Sequence, residues 1–369
     1  MPEWLAQARQ GVTDLVGDQA AEWDLAGLLP TETLRTLGKL GLLCAEVSPA
    51  YGGVGANSSE NGVLTAHVGS LCSSLRSVMT SQGMAAWTIQ RLGDARQRQE
   101  YLPRLTGGEL AAVAFSEREA GSDVTALTTR IRADGDTVVV DGRKTWTTVA
   151  RYADLIVVFG RYGDEGAAVV VPAETPGVTV RPVPNPSGCR AAGHADVDLD
   201  AVRLPASAVL GGGGQQLQLL VTTALSYGRI SVAWGCVGIL RACLLAAGSH
   251  AGTRRQFGRP LAEHQLVARH LAELMAAEQA ATRVCEHASR CWDERSPEMV
   301  IATVLAKYIG STEAARGAAA AVQVLASAGA QDGHVVARAY RDAKLMELIE
   351  GSSEICQLIL AQHAVAQSH

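Results

Sequence analysis

The hydrophobic pattern changes period twice along the chain, and those two changes restrict the fold more than any single motif does. Up to about residue 111 the apolar positions recur at helical spacing. Thr31-Glu-Thr-Leu-Arg-Thr-Leu-Gly38 offers Thr31 as a cap with leucines three apart, and residues 57–92 read as a second helical block rich in Ser, Ala and Gly. Pro49-Ala-Tyr51-Gly52-Gly53-Val54-Gly55 is the turn between them. From Leu110 the period shortens. Ala111–Phe115, Val138–Val140, Leu155–Phe159, Ala168–Val171, Val178–Val183 and Val197–Leu204 are short apolar runs with Gly, Pro and Asp-Gly turns between them. After Gly211-Gly-Gly-Gly214 the pattern returns to long helices, at about 215–252, 262–294, 298–328, 335–349 and 352–366, with Pro297 suited to a helix start.

This order predicts an α+β protein: an N-terminal α-helical domain (1–111), a middle antiparallel β-barrel or sandwich domain (112–212) and a C-terminal four-helix bundle with extra helices (213–369). It is not the βαβ alternation of a dinucleotide fold. Gly53-Val-Gly55-Ala-Asn-Ser58 follows a turn and ends in Ser, and no phosphate-binding loop or GxSxG elbow occurs, which argues against a Rossmann dehydrogenase, a nucleotidase and an α/β-hydrolase. The net charge of −5 comes without any cluster of Lys and Arg, which argues against nucleic acid and anionic membrane as partners. Apolar runs are interrupted by Arg, Gly or His, and Met1-Pro-Glu-Trp-Leu5 lacks a signal peptide's basic start, so a soluble, cytoplasmic protein is expected. Eight scattered cysteines without a CxxC pair read as reduced, buried thiols, and the histidines show neither HxxxH nor HExxH, so no metal is expected.

Near the C-terminus, Gly351-Ser352-Ser353 interrupts a helical pattern that resumes at Ile355, as where one helix ends and the next is capped. Glu350, placed at the last position of the first helix, sits at the negative end of the helix dipole and is partly desolvated. Both effects raise a carboxylate's pKa toward the range useful for a base. Taken alone, such a residue is more often a solvated helix-end carboxylate.

Five stretches, in order over nearly the whole chain, resemble the acyl-CoA dehydrogenase family of flavoproteins. They are Tyr51-Gly-Gly-Val-Gly55, Phe115-Ser-Glu-Arg-Glu-Ala-Gly-Ser-Asp123, Lys144-Thr-Trp-Thr-Thr148, Thr253-Arg-Arg-Gln-Phe-Gly-Arg-Pro-Leu-Ala-Glu-His-Gln265 and Arg341-Asp-Ala-Lys344 continuing to Ile349-Glu-Gly-Ser-Ser353. The resemblance implies FAD as cofactor and Glu350 as catalytic base. It implies FAD contacts at Val113, Phe115, Ser116, Ser122, Trp146, Thr147, Thr148, Ser352 and Glu354. Arg254, Phe257, Gln265 and Gln323 would reach the FAD of a neighbouring subunit, hence a homodimer or homotetramer, and Ser122, Arg229 and Gly351 would meet the acyl thioester. The alternative base position of some members is Gly228 here, which leaves Glu350 as the candidate.

The chain departs from the family pattern at Arg118 (usually Pro), at Val149 (often Asn), at Ala326-Ser-Ala-Gly329 (usually Gly-Gly-x-Gly) and at Ser226 (usually acidic, on the coenzyme A arm). These departures resemble members of polyketide pathways that act on acyl carrier protein, among them those making the hydroxymalonyl or methoxymalonyl extender unit from a glyceryl thioester. A short-chain acyl-CoA dehydrogenase of catabolism, a flavin oxidase using oxygen and a catalytically silent binding protein of the same fold are the competing readings. An electron-transferring flavoprotein is the family's usual electron acceptor.

Overall fold

The computed structural model describes residues 1–367. Six helices come first: α1 (Glu3–Val16), α2 (Ala20–Ala26), α3 (Thr31–Lys39), α4 (Ser58–Leu71), α5 (Ser73–Leu92) and α6 (Ala95–Thr106). Pro30, not Thr31, occupies the cap position of α3, and Thr31 is its first helical residue with no side-chain cap. The 57–92 block is two helices. Cys72 leaves helical geometry (φ −154°, ψ 108°), so α4 and α5 meet at a bend with Cys72 Sγ capping the second.

Seven strands follow: β1 (Ala111–Ala114), β2 (Arg130–Asp134), β3 (Thr137–Thr147), β4 (Leu155–Tyr162), β5 (Glu165–Pro172), β6 (Val178–Pro182) and β7 (Ala195–Pro205). They form one sheet, but it is mixed rather than antiparallel. β1 runs parallel to β4, with Ala111 opposite Leu155, while β2–β3, β3–β7, β6–β7 and β4–β5 pair antiparallel. Period and turn signals do not report strand direction. Here about 40 residues separate β1 from β4, ample for the crossover that a parallel pair requires. The cores of β4 and β5 are buried throughout, which explains their unbroken apolar runs.

The C-terminal part is α7 (Leu217–Thr253), a short hairpin β8 (Arg255–Gln256) and β9 (Arg259–Pro260), then α8 (Gln265–Asp293), α9 (Met299–Leu325), α10 (Val335–Leu348) and α11 (Ser353–Ala366). The helix after Pro297 begins at Met299. Contrary to the reading of broken apolar runs, α7 is long and apolar enough to span a membrane, with a mean hydropathy of 1.9 over its best window. Yet 72% of that window is buried in the protein, as befits the central helix of a bundle. All eight cysteines are free and buried.

Contacts between the three parts hold α10 in place. Arg341 on α10 pairs with Asp24 of α2, and the buried Asp342 carboxylate accepts from the Cys189 backbone N–H at 2.6 Å. The loop that follows α10 is therefore anchored from both the N-terminal helices and the β domain.

Candidate active site

A cavity of about 1000 Å³ opens between α5, the β1–β3 side of the sheet, α7 and the α10–α11 loop. Glu350 lies in its wall. The residue is not the last of its helix: α10 ends at Leu348, Ile349 is extended, and Glu350 has φ +55°. That left-handed backbone costs a non-glycine residue of order 1–3 kcal/mol and survives only when its surroundings fix it. Two buried cations do so. Lys307 Nζ donates to the carbonyls of Glu347 (3.2 Å) and Gly351 (2.6 Å), and Arg229 Nε donates to the Glu350 carbonyl at 3.1 Å. The orphan carbonyls of a helix end are thus capped by charge, which also opposes the negative end of the dipole.

The Glu350 Oε2 atom is buried without a hydrogen-bond partner. Burial pushes the carboxyl up to about 7, against the pull of Arg229, Lys307 and Arg76. A Cβ at Gly228 of α7 would lie 2.3 Å from Oε2, so the glycine makes room for the carboxylate. Ser352 caps α11, accepting from the Ile355 N–H at 3.4 Å, and both Gly351 and Ser352 line the cavity.

The facing wall is built from β1 and β3. Val113, Phe115, Ser116, Ser122, Trp146, Thr147 and Thr148 all line the cavity. Glu117 and Lys144 hold this wall from behind. Lys144 Nζ donates to the Phe115 carbonyl (2.9 Å) and to Glu117 Oε1 (2.8 Å), and Glu117 also accepts from the N–H and hydroxyl groups of Thr128 and Thr129. Burial alone would raise the Glu117 carboxyl; the bonds from Lys144, Thr128 and Thr129 outweigh it and hold the group at about 2. Trp146 and Val149 have left-handed backbones (φ 53° and 70°). Asn tolerates that geometry and a β-branched residue does not, so the Val149 departure falls where it is least comfortable.

His194 reaches Thr148 Oγ1 through Nδ1 at 3.2 Å, and burial with the nearby Arg76 charge lowers its pKa to about 4, keeping the ring neutral. Its Nε2 and Thr147 Oγ1 are buried and unpartnered. Buried polar atoms are rarely left so. Together with the apolar surfaces of Val113, Phe115 and the half-exposed Trp146, they fit the flat, hydrogen-bonding ring of a flavin.

Not every expected site residue joins this cavity. Glu354 is exposed, on the first turn of α11 and outside the cavity lining. Arg254, Phe257, Gln265 and Gln323 are also exposed and away from it; Phe257, at the tip of the β8–β9 hairpin, is 95% exposed. Arg229 lines the cavity, but its Nε is engaged with the Glu350 backbone. Ser226 is buried and bonds back to the Thr222 carbonyl at 2.8 Å, outside the lining. Arg118 lines the mouth and is solvated, with only a loose 3.9 Å contact to Glu119.

Sequence reading missed Arg76, Thr80, His194 and Lys307. The signal for two of them was a lone cation in an otherwise uncharged helical run, Ser73-Ser-Leu-Arg-Ser-Val-Met-Thr-Ser-Gln-Gly83 and Val300-Ile-Ala-Thr-Val-Leu-Ala-Lys-Tyr308. Elsewhere, His287, Cys291 and Glu298 bring ligand-type atoms within 4.8 Å of one another, through a His-x-x-x-Cys spacing that neither HxxxH nor HExxH covers.

A cavity enclosed by a helical domain, a β-sheet and a helical bundle, with one strained carboxylate in its wall and unpartnered polar atoms among apolar side chains in another, suits an oxidoreductase site. Comparisons with known proteins agree. Models of the acyl-CoA dehydrogenase N-terminal, middle and C-terminal domains match residues 3–109, 112–202 and 219–365. The probable acyl-CoA dehydrogenase YngJ of Bacillus subtilis (strain 168) is 31% identical over 97% of this chain and 98% of its own length. Among solved structures, one described as "FkbI for Biosynthesis of Methoxymalonyl Extender Unit of Fk520 Polyketide Immunosuppresant" is 66% identical, covers 97% of this chain and 99% of the other, and superposes with a TM-score of 0.93. Glutaryl-CoA dehydrogenase from Mycobacterium smegmatis in complex with FADH2 is 27% identical with a TM-score of 0.93, covering 99% of this chain and 94% of the other. The chain belongs to the acyl-CoA dehydrogenase family. It is an FAD-dependent oxidoreductase.

Proposed function

We propose that the protein dehydrogenates a small hydroxylated acyl group, the glyceryl group, carried as a thioester on acyl carrier protein, in the making of a hydroxymalonyl or methoxymalonyl extender unit. The observation that carries the reading is Glu350: a carboxylate with a buried, unpartnered oxygen and a pKa of about 7, held on strained backbone by two cations in the cavity wall. The 66% identity to FkbI, a protein of methoxymalonyl extender unit biosynthesis, supports the acyl group and the carrier.

In this reading Glu350 removes the C2 proton of the acyl group, made acidic by the thioester carbonyl, and its proximity to neutral pKa suits it to that task. When bound, FAD supplies the acceptor for the hydride that leaves C3. Lys307 and Arg229 keep the carboxylate on one side of C2, and the β1–β3 wall with Lys144 and Glu117 behind it keeps the ring on the other. For a glyceryl thioester, loss of the C2 proton and the C3 hydride gives an enediol, which ketonises to the 3-aldehyde after release. Ser122 and Arg118 at the mouth would meet the carrier's arm. The exposed Arg254, Phe257, Gln265 and Gln323 would complete the cofactor site of a second copy in a homodimer or homotetramer, and a cytoplasmic electron-transferring flavoprotein would reoxidise the enzyme.

The test is anaerobic bleaching of the bound flavin with matched acyl groups on holo acyl carrier protein and on coenzyme A. Bleaching by glyceryl carrier protein, well ahead of glyceryl or butyryl coenzyme A, is the expected result. Equal or faster bleaching by butyryl coenzyme A would make the protein a catabolic short-chain dehydrogenase, and oxygen uptake on substrate addition would make it an oxidase.

A further inference from the structure

At the end of α8 remote from the β8–β9 hairpin, and outside the cavity lining, three side chains of metal-ligand type converge. His287 and Cys291 stand four residues apart on α8, so they share one face a turn apart. Glu298 immediately precedes α9. The connection between the two helices is short and tied down. The Ser296 N–H donates to the Cys291 carbonyl at 2.8 Å, and Ser296 Oγ accepts from the Glu298 N–H at 3.2 Å. The turn therefore brings Glu298 back against the last turn of α8. His287 Nε2 lies 3.7 Å from Cys291 Sγ, and the ligand atoms of all three residues are within 4.8 Å of one another.

These separations have the scale of a metal site. With zinc–sulfur at about 2.3 Å and zinc–nitrogen at about 2.0–2.1 Å, a tetrahedral angle sets sulfur and nitrogen about 3.6 Å apart. The His287–Cys291 pair already meets that spacing. A carboxylate oxygen in the same tetrahedron sits about 3.4–3.6 Å from either, so Glu298 has little more than about 1 Å to close. An exposed Glu side chain does this by changing rotamer. Nothing competes for these groups. Among the described residues the Glu298 carboxylate makes no hydrogen bond or ion pair, and the His287 ring makes none besides its contact with Cys291. Cys291 is buried while His287 and Glu298 are exposed, so the sulfur is sheltered and the solvent side stays open.

We propose that His287, Cys291 and Glu298 bind one zinc(II) ion, with water as the fourth ligand, and so clip the end of α8 to the start of α9. The site is separate from the cavity and does not depend on the substrate reading. It goes against the absence of metal expected from the histidine and cysteine spacings, none of which pairs His with Cys. The donors set the class of ion. A thiolate with an imidazole selects zinc over magnesium and calcium, which take oxygen ligands. Structural zinc is enclosed by four protein ligands; three and a water leave the ion exchangeable. Binding passes the proton of the Cys291 thiol to solvent and takes the imidazole in its neutral form, so affinity falls as pH is lowered.

The test titrates the chelator-stripped holoenzyme with cobalt(II), whose tetrahedral thiolate complexes absorb to the red of the flavin. One equivalent is expected to bring up those bands, and one equivalent of zinc to discharge them. His287→Gln and Glu298→Gln change exposed side chains and leave the packing of the helices alone. Loss of a group that merely supports a ligand costs about 10–100-fold in metal affinity, so loss of a ligand should weaken cobalt binding by more than about a hundredfold. Zinc should raise the urea midpoint of the parent and of neither variant. No tetrahedral bands at one equivalent of cobalt overturns the proposal, as does affinity unchanged in either exposed variant. Cys291→Ser, checked for folding by its flavin spectrum, tests the sulfur: the same bands in that variant would equally overturn it.

Discussion

Replacing Glu350 by Gln is expected to leave FAD bound and to slow bleaching of the flavin by an acyl thioester by about 10²–10⁴-fold, the usual worth of a positioned general base. The substitution keeps the side chain's size above Gly228 and removes only the proton acceptor. In the wild-type enzyme the bleaching rate should climb as pH rises through about 7, because burial holds the carboxyl protonated below that value despite Arg229, Lys307 and Arg76. The variant should lose that rise. Flavin bleaching at the wild-type rate, or a pH profile unchanged by the substitution, would remove Glu350 from the proposed role.

The second large effect is on stability. Glu117→Gln leaves the Lys144 ammonium buried without its counter-charge and frees the Thr128–Thr129 segment that the carboxylate holds. Breaking such a pair on one side costs about 3–5 kcal/mol, whereas removing both charges is far milder. The urea midpoint of the holoenzyme should fall accordingly, the Phe115–Ser116 edge should loosen, and FAD should dissociate more readily. Adding Lys144→Met should recover most of the loss. Because the folded-state pKa is depressed to about 2, the pair's contribution is present above the ordinary Glu range near 4.5 and is lost as pH falls from there toward about 2. A single variant as stable as the parent would mean that the pair does not hold the wall.

Much of this architecture was legible because period survives in a single sequence. The long helices of the C-terminal part begin and end within a few residues of where spacing, glycine and proline place them. What escaped was what period does not encode. The parallel pairing of β1 with β4 depends on strand direction, and the bend at Cys72 lies in a block whose helical spacing continues on both sides. Glu350 was placed on α10 because the apolar spacing runs up to it. The left-handed turn that moves it off the helix is imposed by Lys307 and Arg229, from helices far away in sequence.

The candidate site divides in the same way. Residues in contiguous motifs, among them Phe115, Ser116, Ser122 and Trp146 to Thr148, line one cavity; the FAD contacts that the resemblance implies for them belong to the proposal. Arg76 belongs to no quoted motif and is conspicuous only once burial is known: an arginine with no acidic residue anywhere on α5, opposite a glycine that accommodates its stem. Glu354 was carried over with its neighbours, but its side chain is exposed and outside the cavity lining, to which Ser352, Ile355 and Leu358 contribute. The exposed positions from Arg254 to Gln265, and Gln323, await a second copy of the chain in the proposed oligomer.

The most direct measurement is the effect of deuterium at C2 of a glyceryl carrier-protein thioester on the rate of anaerobic flavin bleaching. The account predicts that C2 deuteration slows bleaching several-fold in the wild-type enzyme, as does deuteration at C3, because the proton taken by Glu350 and the hydride leaving C3 both belong to the oxidation. Slowing by C3 deuterium with none from C2 would mean a plain alcohol oxidation in which Glu350 abstracts no proton from carbon, and would contradict the account.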